Sequence, residues 1–379
     1  MTDKEKALNH LYDLVADELS ISPSRLDAAI SGYTAVGEWL GGGIDNLTIM
    51  PQGSMNLGTV IRPVNDSEDF DIDLVCLIED GTLLPAKTIK HLVGNRLKEN
   101  GTYKPKLDKE GKRCWTLEYS GFHMDILPCV PKYTRFLKPS FTQIRLTHTS
   151  DFINYSDRFS DPYGYHEWFE KQMEVQARIA KAQYAQRTGT TIDKVPMYRI
   201  KTPLQKAIQL LKRHRDKLFE NDGTNAPISI IITTLAAYAY DGQDNVWDAL
   251  TAILARMKDH IQIINGRYVI TNPVIAEENF ADKWNEKPEK STAFFTWLAQ
   301  AKSDLLSTPL SSDGIPALTK ALGDSLGEAP VKRAISRLGA ETRNSREQGN
   351  LYLSGLMGGI STQRTSSSKP VKDHTFYGE

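Results

Sequence analysis

Three aspartates lie in short apolar runs whose pattern is typical of β-strands. Asp71 and Asp73 belong to the run at residues 70–74, with the sequence FDIDL. Because alternate side chains of a strand share one face, Asp71 and Asp73 should project together while their apolar neighbours face the other way. Asp125 occupies a second run of this kind at residues 122–127, and an adjacent strand would place it beside the pair.

Carboxylates held this close together repel one another unless a cation neutralises them. Magnesium prefers carboxylates that it can share with substrate phosphates and water. Three carboxylates can hold two metal ions, one activating an attacking hydroxyl and one stabilising a leaving pyrophosphate. The aspartates therefore predict a Mg²⁺ site, with Mn²⁺ as the alternative metal. Taken alone, Asp71 and Asp73 could instead be a solvated pair on an edge strand.

A glycine and a serine precede the first aspartate strand, and they favour a functional site over a solvated pair of aspartates. Gly53 permits a tight turn, and Ser54 with nearby backbone N–H groups could cradle a phosphate at a helix start. A predicted strand at residues 46–50 leads into this turn. A strand, a Gly-Ser turn, a strand with two aspartates and a later strand with a third form a specific combination. It favours a nucleotide site over a solvated edge.

This order of motifs resembles the nucleotidyltransferases of the polymerase-β-like superfamily. The residues that carry the resemblance are Gln52-Gly53-Ser54, Asp71-Ile72-Asp73 and Asp125. The match is closest to the bacterial relatives of cyclic GMP-AMP synthase and oligoadenylate synthase, the CD-NTases of CBASS antiphage systems. Weaker similarities follow in the same order, at residues 160–169 and 272–284.

The resemblance implies a catalytic and metal-binding role for the three aspartates, with the nucleotide in a cleft between two lobes. It also implies nucleotide contacts from Gln52, Gly53, Ser54, Asp71, Asp73, Lys212 and Ser229. Lys212 matches the family's triphosphate-binding lysine, and Ser229 matches a second phosphate contact. From the residues themselves, Lys212 flanks an apolar helical stripe and could reach a cleft or remain solvated. Ser229 could equally be a hydroxyl at a helix start.

The implied activity is that of an enzyme that joins ATP and GTP into a cyclic oligonucleotide in antiphage defence. A cyclic GMP-AMP-type dinucleotide is the favoured product, with release of pyrophosphate. A ribose hydroxyl would attack the α-phosphate of the other nucleotide, and Asp125 is the best candidate to receive its proton. Two alternatives stay open: a nucleotidyltransferase that modifies RNA or protein, and a catalytically inactive nucleotide-binding sensor.

The composition of the chain bears on its partners and on the cell compartment in which it works. The 379 residues carry a net charge of −1, which gives no global field for binding long nucleic acid. Three cysteines without a CxxC pair indicate a reducing compartment. The charged N-terminal segment does not resemble a signal peptide, and the apolar run at residues 228–240 is too short to span a bilayer. We expect a cytoplasmic enzyme without a membrane partner.

Hydrophobic periodicity predicts an α+β fold in which a mixed sheet follows a helical spine and precedes a mainly α-helical lobe. Residues 1–198 are assigned to the nucleotidyltransferase lobe, including the N-terminal helices, and residues 199–360 to the helical lobe. Within the first lobe, residues 131–198 look irregular, apart from a polar helix near residues 167–186.

Residues 361–379 are polar and predict a flexible tail. Phe376 and Tyr377 at its end suggest a tail-binding partner protein. The resemblance adds conjugation of the C-terminus to a partner, although here the terminal residue is Glu379 and the glycine, Gly378, is penultimate.

Overall fold

The computed structural model describes residues 1–64, 69–133, 142–350, 352–354, 359–361 and 369–371. The α-helices are α1 (Asp3–Leu19), α2 (Pro23–Gly41), α3 (Gly53–Asn56), α4 (Ala86–Glu99), α5 (Pro162–Gln172), α6 (Glu174–Thr188), α7 (Pro203–Leu218), α8 (Ser229–Ala239), α9 (Val246–Arg256), α10 (Asp282–Glu286), α11 (Pro288–Lys302), α12 (Thr308–Ser311), α13 (Gly314–Leu326) and α14 (Glu328–Glu347). The strands are β1 (Leu47–Pro51), β2 (Phe70–Ile78), β3 (Trp115–Tyr119), β4 (Phe122–Pro131), β5 (Ile144–Thr149), β6 (Tyr155–Ser160), β7 (Gln262–Ile264), β8 (Arg267–Val269), β9 (Tyr352–Ser354), β10 (Gly359–Ser361) and β11 (Lys369–Pro370). Among the described residues, no helix is both long and apolar enough to cross a lipid bilayer.

The main sheet is mixed, with the strand order β1-β2-β4-β5-β6 and with β3 paired to β4. β2 and β4 are parallel, so the chain must cross over between them, and α4 lies in that connection. The other pairings in this sheet are antiparallel. β3 and β4 form a hairpin, whose turn contains Gly121 at a φ of 96°, a conformation that glycine adopts without strain.

One hydrophobic core lies between this sheet and the helices α2 and α4. Alternate residues of β2 and β4 enter it, including Ile72, Leu74, Met124 and Ile126, each with no exposed surface. The intervening positions of β2, Asp71 and Asp73, are exposed and half-buried respectively. The predicted alternation is confirmed, and it turns the two carboxylates away from the core.

A second core is built from helices and surrounds α7. The helix begins with Thr202 as a capping-box residue and Pro203 in the first turn. It contacts α1, α8, α9, α11 and α13, and most of its apolar residues have no exposed surface, namely Leu204, Ala207, Ile208, Leu210 and Leu211. The predicted helical second half of the chain is confirmed by this packing.

The packing differs from the sequence assignment at both ends of the first lobe. The apolar stripe of α1 packs in the helical core with α7 and α14, whereas α2 packs on the sheet. Within residues 131–198, the polar helix predicted near residues 167–186 is confirmed as α5 and α6, whereas β5 and β6 lie where the sequence predicted irregular structure. β5 and β6 are held by pairing with each other and with β4, and such long-range pairing leaves little trace in local periodicity. The boundary at residue 198 stays a prediction.

The predicted tail is described only in short pieces. Its residues Lys369 and Pro370 form β11, which pairs antiparallel with β9, so at this point the chain is not structureless. Phe376, Tyr377 and Gly378 lie outside the described residues. The tail-binding partner therefore stays a prediction.

Candidate functional site

A cavity of about 410 Å³ opens where β2 meets the helices α7 and α8. Six of the predicted site residues line it: Gly53, Ser54, Asp71, Asp73, Lys212 and Ser229. Gln52 and Asp125 are not among its lining residues. The backbone N–H of Gln52 donates to the carbonyl of Asp73 at 2.8 Å, which ties the Gly-Ser turn to β2.

The three aspartates come together through the parallel pairing of β2 and β4. Asp73 lies directly opposite Asp125, and Asp71 lies opposite His123. On the other side of β4, Thr116 of β3 is the partner of Asp125, and its hydroxyl donates to the Oδ1 of Asp125. Asp125 is thus held between two strands, one carrying Asp73 and one carrying a fixed donor.

Burial and nearby negative charges raise the pKa values of Asp71 and Asp73. Burial, followed by the negative charges of Asp125 and Asp71, raises the pKa of Asp73 to about 6. Burial and the charge of Asp125 also raise the pKa of Asp71, while the neighbouring His123 opposes that shift. The positive charge of Lys212 and the neighbouring His123 therefore offset the negative charge of these aspartates only in part.

The turn after β1 depends on glycine for two reasons. Gly53 has a φ of 58°, in the left-handed region that disfavours other residues. A Cβ at this position would also lie 2.8 Å from the Oδ2 of Asp73. Glycine therefore lets the backbone of the turn approach the carboxylate, and it places Ser54 in the first turn of α3 beside it.

The donor set of the aspartates fits a hard divalent cation that is shared with a substrate. Within the described ranges, no three His, Cys, Asp or Glu side chains form a cluster that could hold a metal ion. Asp71, Asp73 and Asp125 therefore do not form a metal-binding group by themselves in this structure. Mg²⁺ does not require a complete set of protein ligands, because it keeps several waters and completes its shell with substrate phosphates. The oxygen-only donors and the raised pKa of Asp73 agree with such an open site.

Lys212 is a buried lysine and not the solvated one that the sequence left as an alternative. Its exposure is 5%, and its Nζ donates to the carbonyl of Thr59 at 3.0 Å. Burial, followed by the positive charge of Arg215, lowers the pKa of Lys212 to about 8. An ammonium group has three donors, so one bond to Thr59 leaves donors for a phosphate in the cavity.

The segment at residues 57–63, which we name the strap, forms one wall of the cavity. Side chains on or just before α7 donate to its carbonyls in turn. The pairs, besides Lys212 with Thr59, are Gln205 with Leu57, Lys201 with Gly58, Gln209 with Val60, and Arg213 with Arg62 and Pro63. The helix that carries Lys212 thereby also fixes the backbone that follows the Gly-Ser turn.

Ser229 is the first residue of α8 and faces the cavity. Its hydroxyl accepts from Arg215 at 3.2 Å, and Arg215 also donates to Asp216 and to the carbonyl of Pro227. Asp216 lines the cavity and was missed from the sequence. Its position four residues after Lys212, on the same helical face, is the signal that could have found it.

Comparisons with known proteins place these residues in a wider context. The family model of the cyclic GMP-AMP synthase DncV-like nucleotidyltransferase domain matches residues 48–129, which include the turn and all three aspartates. A c-di-GMP synthase of Roseivirga ehrenbergii is 30% identical over 386 residues, covering 96% of this chain and 96% of that protein.

A more distant relative also extends over the whole chain. The cyclic dinucleotide synthase CdnG of Bradyrhizobium diazoefficiens is 23% identical and covers 97% of this chain and 94% of its own length. The solved structure of that CD-NTase in complex with GTP superposes with a TM-score of 0.66 at 20% identity, covering 88% of this chain and 99% of the other. The fold is therefore shared over nearly the full length of both proteins.

Proposed function

The chain belongs to the bacterial CD-NTases, nucleotidyltransferase enzymes of the polymerase-β-like fold, and on that premise we propose that it joins two molecules of GTP into cyclic di-GMP. The relative that is 30% identical is named for this product. The more distant relative is a cyclic dinucleotide synthase whose structure holds GTP. From the sequence we expected a cyclic GMP-AMP-type product. Because of these names, we propose instead a product made from GTP alone.

The single observation that carries the proposal is the register of Asp73 with Asp125 beside a cavity that also contains Lys212. Carboxylates can hold the divalent cation that nucleotidyl transfer uses, and an ammonium group can bind the triphosphate. A volume of about 410 Å³ is within the range of small-molecule sites.

We assign the binding of the donor triphosphate to Ser54, Lys212 and Ser229, and the binding of Mg²⁺ to the three aspartates. Magnesium, when bound, supplies a Lewis acid that lowers the pKa of the ribose hydroxyl and neutralises the leaving pyrophosphate. Asp125, oriented by Thr116, takes the proton of the attacking hydroxyl.

Each transfer is balanced by the loss of one pyrophosphate. The hydroxyl oxygen of one GTP bonds to the α-phosphorus of the other, the bond from that phosphorus to the bridging oxygen breaks, and the proton goes to Asp125. A second transfer closes the ring with loss of a second pyrophosphate.

For the biological role, we propose signalling in antiphage defence, on the basis of membership in the CD-NTases. Modification of RNA or protein and an inactive sensor were the alternatives from the sequence. Neither relative described above is named for modification of RNA or protein.

The test is to incubate the pure protein with Mg²⁺ and α-³²P-labelled GTP, with or without ATP, and to analyse phosphatase-treated products by chromatography and mass spectrometry. The expected result is a phosphatase-resistant product with the mass of cyclic di-GMP from GTP alone. A resistant product that forms only when ATP is present would return the assignment to cyclic GMP-AMP. Labelled RNA or protein would support a modifying enzyme, and GTP binding without any product would support the sensor.

A further inference from the structure

We propose that Arg62 is a specificity-determining residue that recognises the O6 and N7 acceptors of a guanine base in the cavity. The inference rests on the proposed function in one respect, because it takes GTP as the nucleotide that the cavity binds. Arg62 belongs to the strap, lines the cavity and was not among the site residues that the sequence indicated.

The guanidinium of Arg62 is anchored at one of its three nitrogens. Its Nε donates to the carbonyl of Ser20 at 2.7 Å. No hydrogen bond from either terminal nitrogen to an acceptor is found in the part of the chain that the structure describes, and neither is a buried atom without a partner. Among the described residues, these two donors are therefore unpaired and not buried, on a side chain whose inner end is fixed.

The backbone of Arg62 is held from both sides. Its N–H donates to the carbonyl of Leu19 at 2.8 Å, and its own carbonyl accepts from Arg213 of α7 at 2.8 Å. These bonds tie the strap to the end of α1 and to the helix that carries Lys212. A side chain mounted on a backbone fixed in this way can select between ligands, since little of its binding energy is spent on ordering.

The wall around Arg62 suits a base better than a phosphate. Val60, Ile61 and Pro63, its neighbours in the strap, also line the cavity. The polar residues assigned to the triphosphate, Ser54, Lys212 and Ser229, come from other segments of the chain, and Lys212 contacts the strap at Thr59. A purine presents apolar faces to such a wall and directs its polar edge to the one cation in that part of the strap.

The donor pattern of arginine then selects guanine over adenine. Arginine has donors only, and the O6 and N7 of guanine are two acceptors at the spacing of its fork. Adenine keeps N7 but carries an amino donor in place of O6, so one of the two bonds cannot form. A favourable pair of this kind changes base discrimination by about tenfold or more.

The test compares the dissociation constants of GTP, ATP and 7-deaza-GTP, which lacks N7, with Ca²⁺ in place of Mg²⁺ to slow turnover. The variants are Arg62→Met, which removes the donors, Arg62→Lys, which keeps the charge but not the fork, and Arg178→Met as a matched control on an arginine that is 74% exposed. Thermal melting of each variant checks that the fold survives loss of the bond to Ser20.

We expect the wild type and the Arg178→Met control to bind GTP about tenfold more tightly than ATP or 7-deaza-GTP. Both Arg62 variants should lose this preference, because their dissociation constant for GTP rises. If Arg62→Met weakens GTP and ATP equally while Arg62→Lys restores both, Arg62 contacts the triphosphate and the inference is overturned. Unchanged constants in both variants would overturn it as well. If the Arg62-dependent preference for GTP is found but no cyclic product forms, only the proposed function fails.

Discussion

Asp73 and Asp125 lie directly opposite each other on the parallel strands β2 and β4, although 51 residues lie between them in the chain. Neither strand alone contains the full set of carboxylates. The parallel pairing creates the cluster, and burial together with the facing charges raises the pKa of Asp73 to about 6. The electrostatics of the site is therefore a property of the strand register.

Asp125→Asn should lower the pKa of Asp73, because it removes one of the negative charges that disfavour ionisation of Asp73. The new value should stay above the ordinary 3.8, since burial is the largest cause of the shift and is unchanged. A titration of the carboxyl carbon by NMR without divalent cations measures this. Asp157→Asn on β6, at the far end of the sheet, is the control and should leave Asp73 as it is. An unaltered pKa in Asp125→Asn would show that the two charges do not interact.

Affinity for a triphosphate should fall as the pH rises above about 8. The pKa of Lys212 is lowered from 10.5 to about 8, so the free protein loses this positive charge near pH 8 instead of near 10.5. Phosphate binds the charged form, and titrations with a non-hydrolysable GTP analogue between pH 6.5 and 9.5 should show the decline.

Lys212→Ala provides the comparison for that profile. It should weaken binding by about ten- to hundredfold at pH 7, the effect of one lost charge-assisted bond worth about 1.5–3 kcal/mol. It should also flatten the decline above pH 8. A variant that binds like the wild type, or that keeps the same pH profile, would remove Lys212 from the triphosphate site.

Gln205→Leu should destabilise the fold by about 1–3 kcal/mol, because it leaves buried backbone groups of the strap and of the helix cap without partners. The side chain of Gln205 donates to the carbonyls of Leu57 and Met197 and accepts from the N–H of Thr202. Urea denaturation of this variant and of Gln186→Leu, at an exposed position of α6, measures the difference. Equal stability of the two variants would mean that the strap does not depend on α7.

Deletion of residues 365–379 should leave product formation by the pure enzyme unchanged within about a factor of two, because a polar segment of this kind is typical of partner-binding tails. Initial rates at saturating GTP, measured beside the full-length protein, provide the test. A large loss of activity would place the tail in the cavity, and the assignment to partner binding would then be wrong.

Strand β2 could be predicted from the sequence because its pattern is local. Ile72 and Leu74 alternate with Asp71 and Asp73, and a period of two determines which side chains share a face. The Gly-Ser turn was also readable, because few residues other than glycine adopt the φ of Gly53. Roles of these residues in binding nucleotide and metal stay predictions.

The strap could not be predicted, because its contacts are long-range and use backbone acceptors. Gln209 and Val60 are far apart in the sequence, and a carbonyl oxygen carries no residue-specific signal. The same reason explains why Arg62 was missed. Its position in the cavity wall depends on the end of α1 and on Arg213. The placement of α1 in the helical core likewise depends on which helices its apolar residues pack against.

The most direct test of the central claim is the double variant Asp71→Asn with Asp73→Asn, assayed for phosphatase-resistant product from GTP and Mg²⁺. The folded pKa of Asp73 is raised from 3.8 to about 6, so its contribution to stability is present below the lower value and is lost as the pH rises through the higher one. Asparagine does not ionise, so the double variant does not lose this stability as the pH rises. Its melting temperature at pH 7 without Mg²⁺ should therefore equal or exceed that of the wild type. We predict a folded protein whose product formation falls by several orders of magnitude. Full activity in the double variant would contradict the account.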